Sequence, residues 1–108
     1  MAIYNNDILN QEVRLIDFSY LPYITGMYMD HSEIPITSSY TFPSTRRYAI
    51  YFYMDISSLN SLSYMFDRVR QIVSIYFTRI FDTKNINNMD YMFYYSGLNS
   101  IDVSNFNT

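Results

Sequence analysis

Apolar and polar positions follow two different periods along this chain. Up to Met54 the dominant period is two. Ile24-Thr25-Gly26-Met27-Tyr28-Met29-Asp30 alternates as a half-buried strand does, with Gly26 marking a bulge. Val13 to Phe18 reads as a first strand, and Pro22 interrupts the chain soon after it. His31-Ser32-Glu33 reads as a turn. Ile34-Pro35-Ile36 reads as a short extended piece, because Pro35 has no N–H to give a central ladder. Residues 1–12 are mostly polar and read as a loose start. Ser39–Phe42 and Tyr48–Met54 read as the arms of a hairpin, with Pro43–Arg47 as its connection. On the longer arm Tyr48, Ile50, Phe52 and Met54 share one face, and Ala49, Tyr51 and Tyr53 share the other. Both faces are apolar or aromatic, which predicts cover on both sides.

From Asp55 the pattern changes. Leu59, Leu62, Met65 and Phe66 recur as Ile86, Met89, Met92 and Phe93, at an offset of 27. Within each copy the spacing is i, i+3, i+6 and i+7, which predicts one face of a short helix. A strand-like phrase succeeds each copy. Ile72-Val73-Ser74-Ile75-Tyr76-Phe77 is answered at an offset of 26 by Leu98-Asn99-Ser100-Ile101-Asp102-Val103, and the offset falls to 25 between Phe81 and Phe106. A helix-then-strand unit used twice predicts an α/β solenoid of the leucine-rich-repeat type over residues 55–108, preceded by a small β-rich capping module over residues 1–54. Tyr48–Met54 would then serve as the zeroth strand of the repeat array. Asp55 and Asp82 precede the two helical phrases, with Ser57, Ser58, Thr83 and Asn85 as N-caps, and Asn85 and Asn88 are placed to bond along the stack.

The second copy, from Asn85-Ile86-Asn87-Asn88-Met89-Asp90-Tyr91-Met92-Phe93 to Ser104-Asn105-Phe106-Asn107-Thr108, resembles one unit of the BspA-like leucine-rich repeat surface proteins. With its more divergent first copy, the likeness covers about the C-terminal half. The resemblance implies a cell-surface or secreted adhesion protein that recognises partners over its repeat sheet. The aromatic hairpin of the N-terminal half resembles that of small immunoglobulin-like or PKD-like surface modules, although Arg46 and Arg47 stand where such loops usually carry glycine.

Composition narrows the chemistry. The chain has 108 residues, 7 basic and 10 acidic, with a net charge of −3 and no cysteine. That balance argues against a nucleic-acid partner, which selects a cationic face. The absence of cysteine removes disulfide and thiolate chemistry. The longest apolar run, Tyr48–Met54, is too short to span a bilayer. No signal peptide is visible at the start, which leaves an intracellular repeat scaffold as an alternative to surface display. Nucleophile-elbow and phosphate-cradling patterns are absent, and no cofactor is implied. His31, between Asp30 and Glu33, offers a metal or acid–base site against the plainer reading of a solvated turn.

Thirteen tyrosines and eight phenylalanines are the compositional outlier. Tyr76 and Asp102 fall on the outward positions of the two repeat strands, and Tyr51 and Tyr53 extend that surface. With Arg46 and Arg47, placed at the hairpin tip toward an acidic partner, these are the candidate binding residues. They suit a protein partner or a glycan, because tyrosine offers contact area at low entropy cost. The open C-terminal repeat face adds a candidate surface for self-association.

Overall fold

The computed structural model describes residues 1–77, 83–98 and 101–102. Its strands are β1 (Ala2–Asn6), β2 (Glu12–Arg14), β3 (Ile24–Met29), β4 (Ser32–Ile34), β5 (Ser39–Thr41), β6 (Arg46–Met54), β7 (Ile72–Tyr76) and β8 (Ile101–Asp102). Six form one sheet in the order β4-β3-β6-β1-β7-β8, and β2 pairs with β5 as a separate ribbon. All pairs are antiparallel except β7 with β8. The single helical element among the described residues is the six-residue 3-10 segment Phe18–Tyr23, capped by Asp17, whose carboxylate accepts from the Ser19 N–H.

The N-terminal residues are the first correction. Ala2–Asn6 are not loose but form a strand flanked on both sides, by β6 and by β7. Ala2, Tyr4 and Asn6 are buried and alternate with half-buried Ile3 and Asn5. Because β1 fills the place beside β7, β6 is not the zeroth strand of a repeat array. The expected hairpin of residues 39–54 also fails to form. Its shorter arm, β5, pairs with β2, with Val13 opposite Tyr40, while β6 pairs with β1 and β3. Arg46 and Arg47 therefore sit inside β6, opposite Asn6 and Asn5, and not at a loop tip. The two arms still meet through their rings, since Phe42 stacks on Tyr48 at 4.2 Å and 14°.

The α/β solenoid and its leucine-rich-repeat reading are overturned as well. Neither apolar phrase is helical. Both run as successive turns, in which Met65 donates to the Leu62 carbonyl, Asp67 to Tyr64 and Val69 to Phe66, then Met92 to Met89, Tyr94 to Tyr91 and Ser96 to Phe93. Tyr64, Arg68, Tyr91 and Tyr95 have positive φ as the third residues of the turns closed by Met65, Val69, Met92 and Ser96, whereas Phe66 and Phe93, third in the two intervening turns, do not. The i, i+3, i+6, i+7 pattern suits this path as well as a helix. Two local effects favour it. Ser61 and Asn88, equivalent in the two copies, each turn a side-chain oxygen onto the backbone N–H two residues on, Ser63 and Asp90, at 3.1 and 2.9 Å. Such bonds compete with a helix. The second effect is tertiary. The N–H groups of Leu62, Tyr64, Phe66 and Arg68 donate to the carbonyls of Asn88, Asp90, Met92 and Tyr94, so the second coil lies on the first. Phrases this short are marginal helices alone, and the neighbouring coil supplies bonds a helix would forgo.

One core joins the layers. The inner row of the sheet runs Met29, Ile50, Ala2 and Ile75 by register. Against its inner face lie Val13, Leu15, Ile16 and Phe42, then Leu62, Met65, Phe66 and Val69 from the first coil, all in one buried cluster. The Tyr4 hydroxyl crosses the core to donate to the Leu15 carbonyl at 2.6 Å. Ile72 and Ile75 are both buried although three residues apart, because the β1–β7 register shifts between Ile3 and Tyr4. That bulge absorbs the extra residue which would otherwise turn Ile72 to the outside. The described sheet thus draws strands from both sides of position 54.

Candidate functional site: an outward tyrosine face

The outer face of the sheet lies opposite that core. Tyr28 on β3 faces Glu33 on β4 and Tyr51 on β6. Tyr51 and Tyr76 each lie one residue beyond the partners of Ala2, and the Tyr76 N–H donates to the Met1 carbonyl between them at 2.8 Å. Asp102 comes next as the register partner of Tyr76. Register thus aligns Glu33, Tyr28, Tyr51, Tyr76 and Asp102 in one row, with Tyr51 and Tyr76 about 10 Å apart across two strand spacings. Tyr53, two residues along β6, is 54% exposed and meets Tyr28 edge-on at 5.4 Å and 82°. Gly26 stands opposite Tyr53, and a Cβ there would make ordinary contact, 3.4 Å, with the Tyr28 ring. Cover on both faces of β6 was expected. Only the Tyr48 and Ile50 face is buried, and Tyr53 is open.

A hollow of about 280 Å³ opens beside this row, lined by Tyr28, Asp30, His31, Tyr51 and Tyr53. Asp30 and His31 form the two-residue turn joining β3 to β4, which places the turn one residue earlier than the sequence pattern suggests. Asp30 takes positive φ there, as the tight hairpin requires. The Arg46 guanidinium bonds the Asp30 carboxylate at 2.9 Å and lies 3.8 Å from the centre of the Tyr48 ring. That hydrogen bond holds the Asp30 carboxyl below its ordinary value. Arg46 is thus engaged within the protein, whereas Arg47 is exposed opposite Asn5. Of the candidate residues, the structure brings Tyr51, Tyr53, Tyr76 and the Asp102 strand position onto one face. It places Arg46 at the rim through Asp30, and Arg47 lies about 20 Å along β6 from Tyr53. Among the described residues no group of three His, Asp or Glu side chains is placed to hold a metal ion.

A second aromatic surface escaped the pattern reading. Tyr64 stacks on Tyr91 at 5.2 Å and 14°, Tyr91 meets Tyr94 edge-on at 5.3 Å, and Tyr94 lies 4.3 Å from Tyr95, all four exposed. Behind them Phe66 stacks on Phe93 at 5.7 Å and 3°. The signal was present, since Tyr64 and Tyr91 share the offset of 27, but a helical reading splays these positions instead of stacking them. The second coil is one residue shorter than the first, Ser96-Gly97-Leu98 answering Val69-Arg70-Gln71-Ile72. The shortened path brings Gly97 so close to the first coil that a Cβ would lie 2.0 Å from the Arg70 carbonyl oxygen. A smaller apolar cavity of about 60 Å³ lies between Phe52, Met65, Phe66 and Ile75, well below the size of small-molecule sites.

No helix among the described residues is long and apolar enough to cross a membrane. Comparison with family models, with curated proteins and with solved structures finds no match for this chain.

Proposed function

We propose that this chain is a non-catalytic interaction domain that recognises a protein partner over the outer face of its six-stranded sheet, and that it acts at the cell surface or outside the cell. The observation that carries the reading is the alignment of Tyr28, Tyr51 and Tyr76 in one row with Tyr53 beside it. An open sheet face bearing tyrosines is costly to leave in water and well suited to a partner, because each ring adds contact area with few rotors to freeze. The surface location rests on the resemblance of residues 85–108 to the repeat phrase of BspA-like surface proteins. It is tested by protease treatment of intact source cells beside a lysed control, where cutting only after lysis overturns it.

The partner is tested by immobilising the chain and presenting a panel of extracellular-matrix proteins and a glycan array. Retention of a matrix protein, weakened about tenfold or more by a Tyr51→Ala, Tyr53→Ala double variant that keeps its melting temperature, supports the reading. The hollow beside the row favours a second reading, a carbohydrate site, since it sets tyrosine rings beside a carboxylate and an imidazole. Retention of glycans alone, lost in the same variant, selects that reading. Retention of neither class removes both.

A further inference from the structure

The stack of two coils has two unlike edges. On the first coil, the carbonyls of Ser63, Met65 and Asp67 face away from the second coil, and each is already met. The Tyr20 hydroxyl donates to Ser63 at 2.6 Å, the Asp17 N–H to Met65 at 2.8 Å and the Arg14 Nε to Asp67 at 2.8 Å. These carbonyls are the equivalents, at the offset of 27, of Asp90, Met92 and Tyr94, which accept from Tyr64, Phe66 and Arg68. Residues 14–20 therefore imitate a preceding coil and meet three of the four equivalent carbonyls of that edge, Ser61 being the fourth.

The other edge has no cover among the described residues. The N–H groups equivalent to the four inter-coil donors belong to Met89, Tyr91, Phe93 and Tyr95, and none has an acceptor among the described residues. The carbonyls of Met89, Tyr91 and Phe93 are turned back into their own coil by the turn bonds. The edge is thus a row of donors at every second residue, unlike a strand edge, which alternates donors and acceptors. Beside it lie the outer faces of the Tyr91 and Phe93 rings, whose inner faces stack on Tyr64 and Phe66.

We infer that this edge is a docking edge for a partner segment carrying the same apolar phrase as residues 86–93, presenting its carbonyls to Met89, Tyr91, Phe93 and Tyr95 and its rings to Tyr91 and Phe93. The arrangement continues the contact by which the second coil sits on the first. A second intact copy of this chain is not the occupant. Two such edges meet donor against donor, and three of the four carbonyls on the complementary edge of a copy are already met by its own residues 14–20. The occupant is therefore a unit of the phrase whose carbonyl edge is uncapped. This surface is separate from the tyrosine row, so the inference stands whether or not that row binds a partner.

The test appends a copy of residues 83–98 to the full chain through a flexible glycine–serine linker, which holds the copy at an effective concentration in the millimolar range. Amide hydrogen exchange is read beside the same fusion with a scrambled copy. The expected result is exchange slowed about tenfold or more at Met89, Tyr91, Phe93 and Tyr95, and loss of part of that protection in a Tyr91→Ala host, whose altered side chain is exposed. Equal exchange in the two fusions overturns the inference. Protection that appears in the unfused chain as its concentration is raised also overturns it, because the edge then pairs copies of the chain.

Discussion

At the scale of single residues, the strongest constraints are polar atoms inside the core and one missing side chain. Tyr4 is fully buried, and its hydroxyl satisfies the Leu15 carbonyl. Replacing it, Tyr4→Phe, leaves that carbonyl without a partner and should cost about 1–3 kcal/mol in urea unfolding, with little change in the slope. Burial also pushes the Tyr4 hydroxyl well above its ordinary pKa of 10.0. The unfolded chain loses this proton near the ordinary value while the folded chain keeps it. The unfolded state then binds fewer protons, and stability falls as pH rises above that value. Tyr4→Phe should remove one tyrosine's share of the alkaline slope, about 1.4 kcal/mol per pH unit, in a comparison of melts across that range. Asp17 acts in the opposite sense. Burial opposes its charge, yet hydrogen bonds from Ser19 and Arg14 outweigh that and hold its carboxyl below 3.8. Its contribution is present above the ordinary carboxylate value and is lost as pH falls through the lowered one. At Gly97 a methyl group meets the Arg70 carbonyl, so Gly97→Ala should cost about 1–3 kcal/mol through forced displacement of one coil from the other. An unchanged melting temperature would contradict this close approach.

At the scale of elements, the coil is the unit that decides the architecture. Its conformation is set by where the N–H groups go. In a helix they would return to the carbonyl four residues back, but here alternate ones cross to the next coil. The far-ultraviolet circular dichroism of the chain should accordingly lack the helical double minimum, whereas helical repeats would display it. Phe66 lies between Phe52 and Phe93, with ring centres at 6.4 and 5.7 Å, and is buried. Phe66→Ala should cost about 3–5 kcal/mol, more than Tyr64→Ala on the exposed side of the same coil, and urea denaturation of the two variants compares them. The repeat was legible in the sequence because its apolar residues recur, and its offsets of 27 and 26 are the offsets at which Ser61 meets Asn88 and Ile75 meets Ile101. The conformation was not legible. A period near three suits a helix and a run of turns equally, and the choice depends on a neighbour that periodicity does not describe.

At the scale of the whole molecule, β1 is the tie. It lies between β6 and β7, so it bonds the strands of the first half to those that carry the coils. Removal of residues 1–6 should therefore abolish cooperative urea unfolding of the entire chain, and not merely trim an arm. A truncated chain with a sharp transition would contradict that role. The strand escaped sequence reading because Ala2, Tyr4 and Asn6 form a short, weakly apolar alternation, and their burial comes entirely from the partners on either side. The tyrosine face was half legible. Alternation along β6 put Tyr51 and Tyr53 together, and the same logic turned Tyr76 outward. That Tyr28 joins them depends on pairing between β3 and β6, and Arg46 and Arg47 moved from a loop tip to a strand because β6 found β1 and not β5.

By itself the sequence determined the local terms: strand alternation on β3 and β6, an irregularity beside Gly26 (the unpaired residue is Thr25), the spacing of the repeated phrase, and a composition poor in charge and rich in tyrosine. These are properties of neighbouring residues, set by side-chain geometry at short range. Tertiary structure alone decided which strands pair, that the apolar phrases run as stacked turns, and that residues 14–20 meet carbonyls along one edge of the stack. Those outcomes rest on hydrogen bonds between residues far apart in the chain. Such bonds are equally available to many pairings until burial of one shared core selects among them.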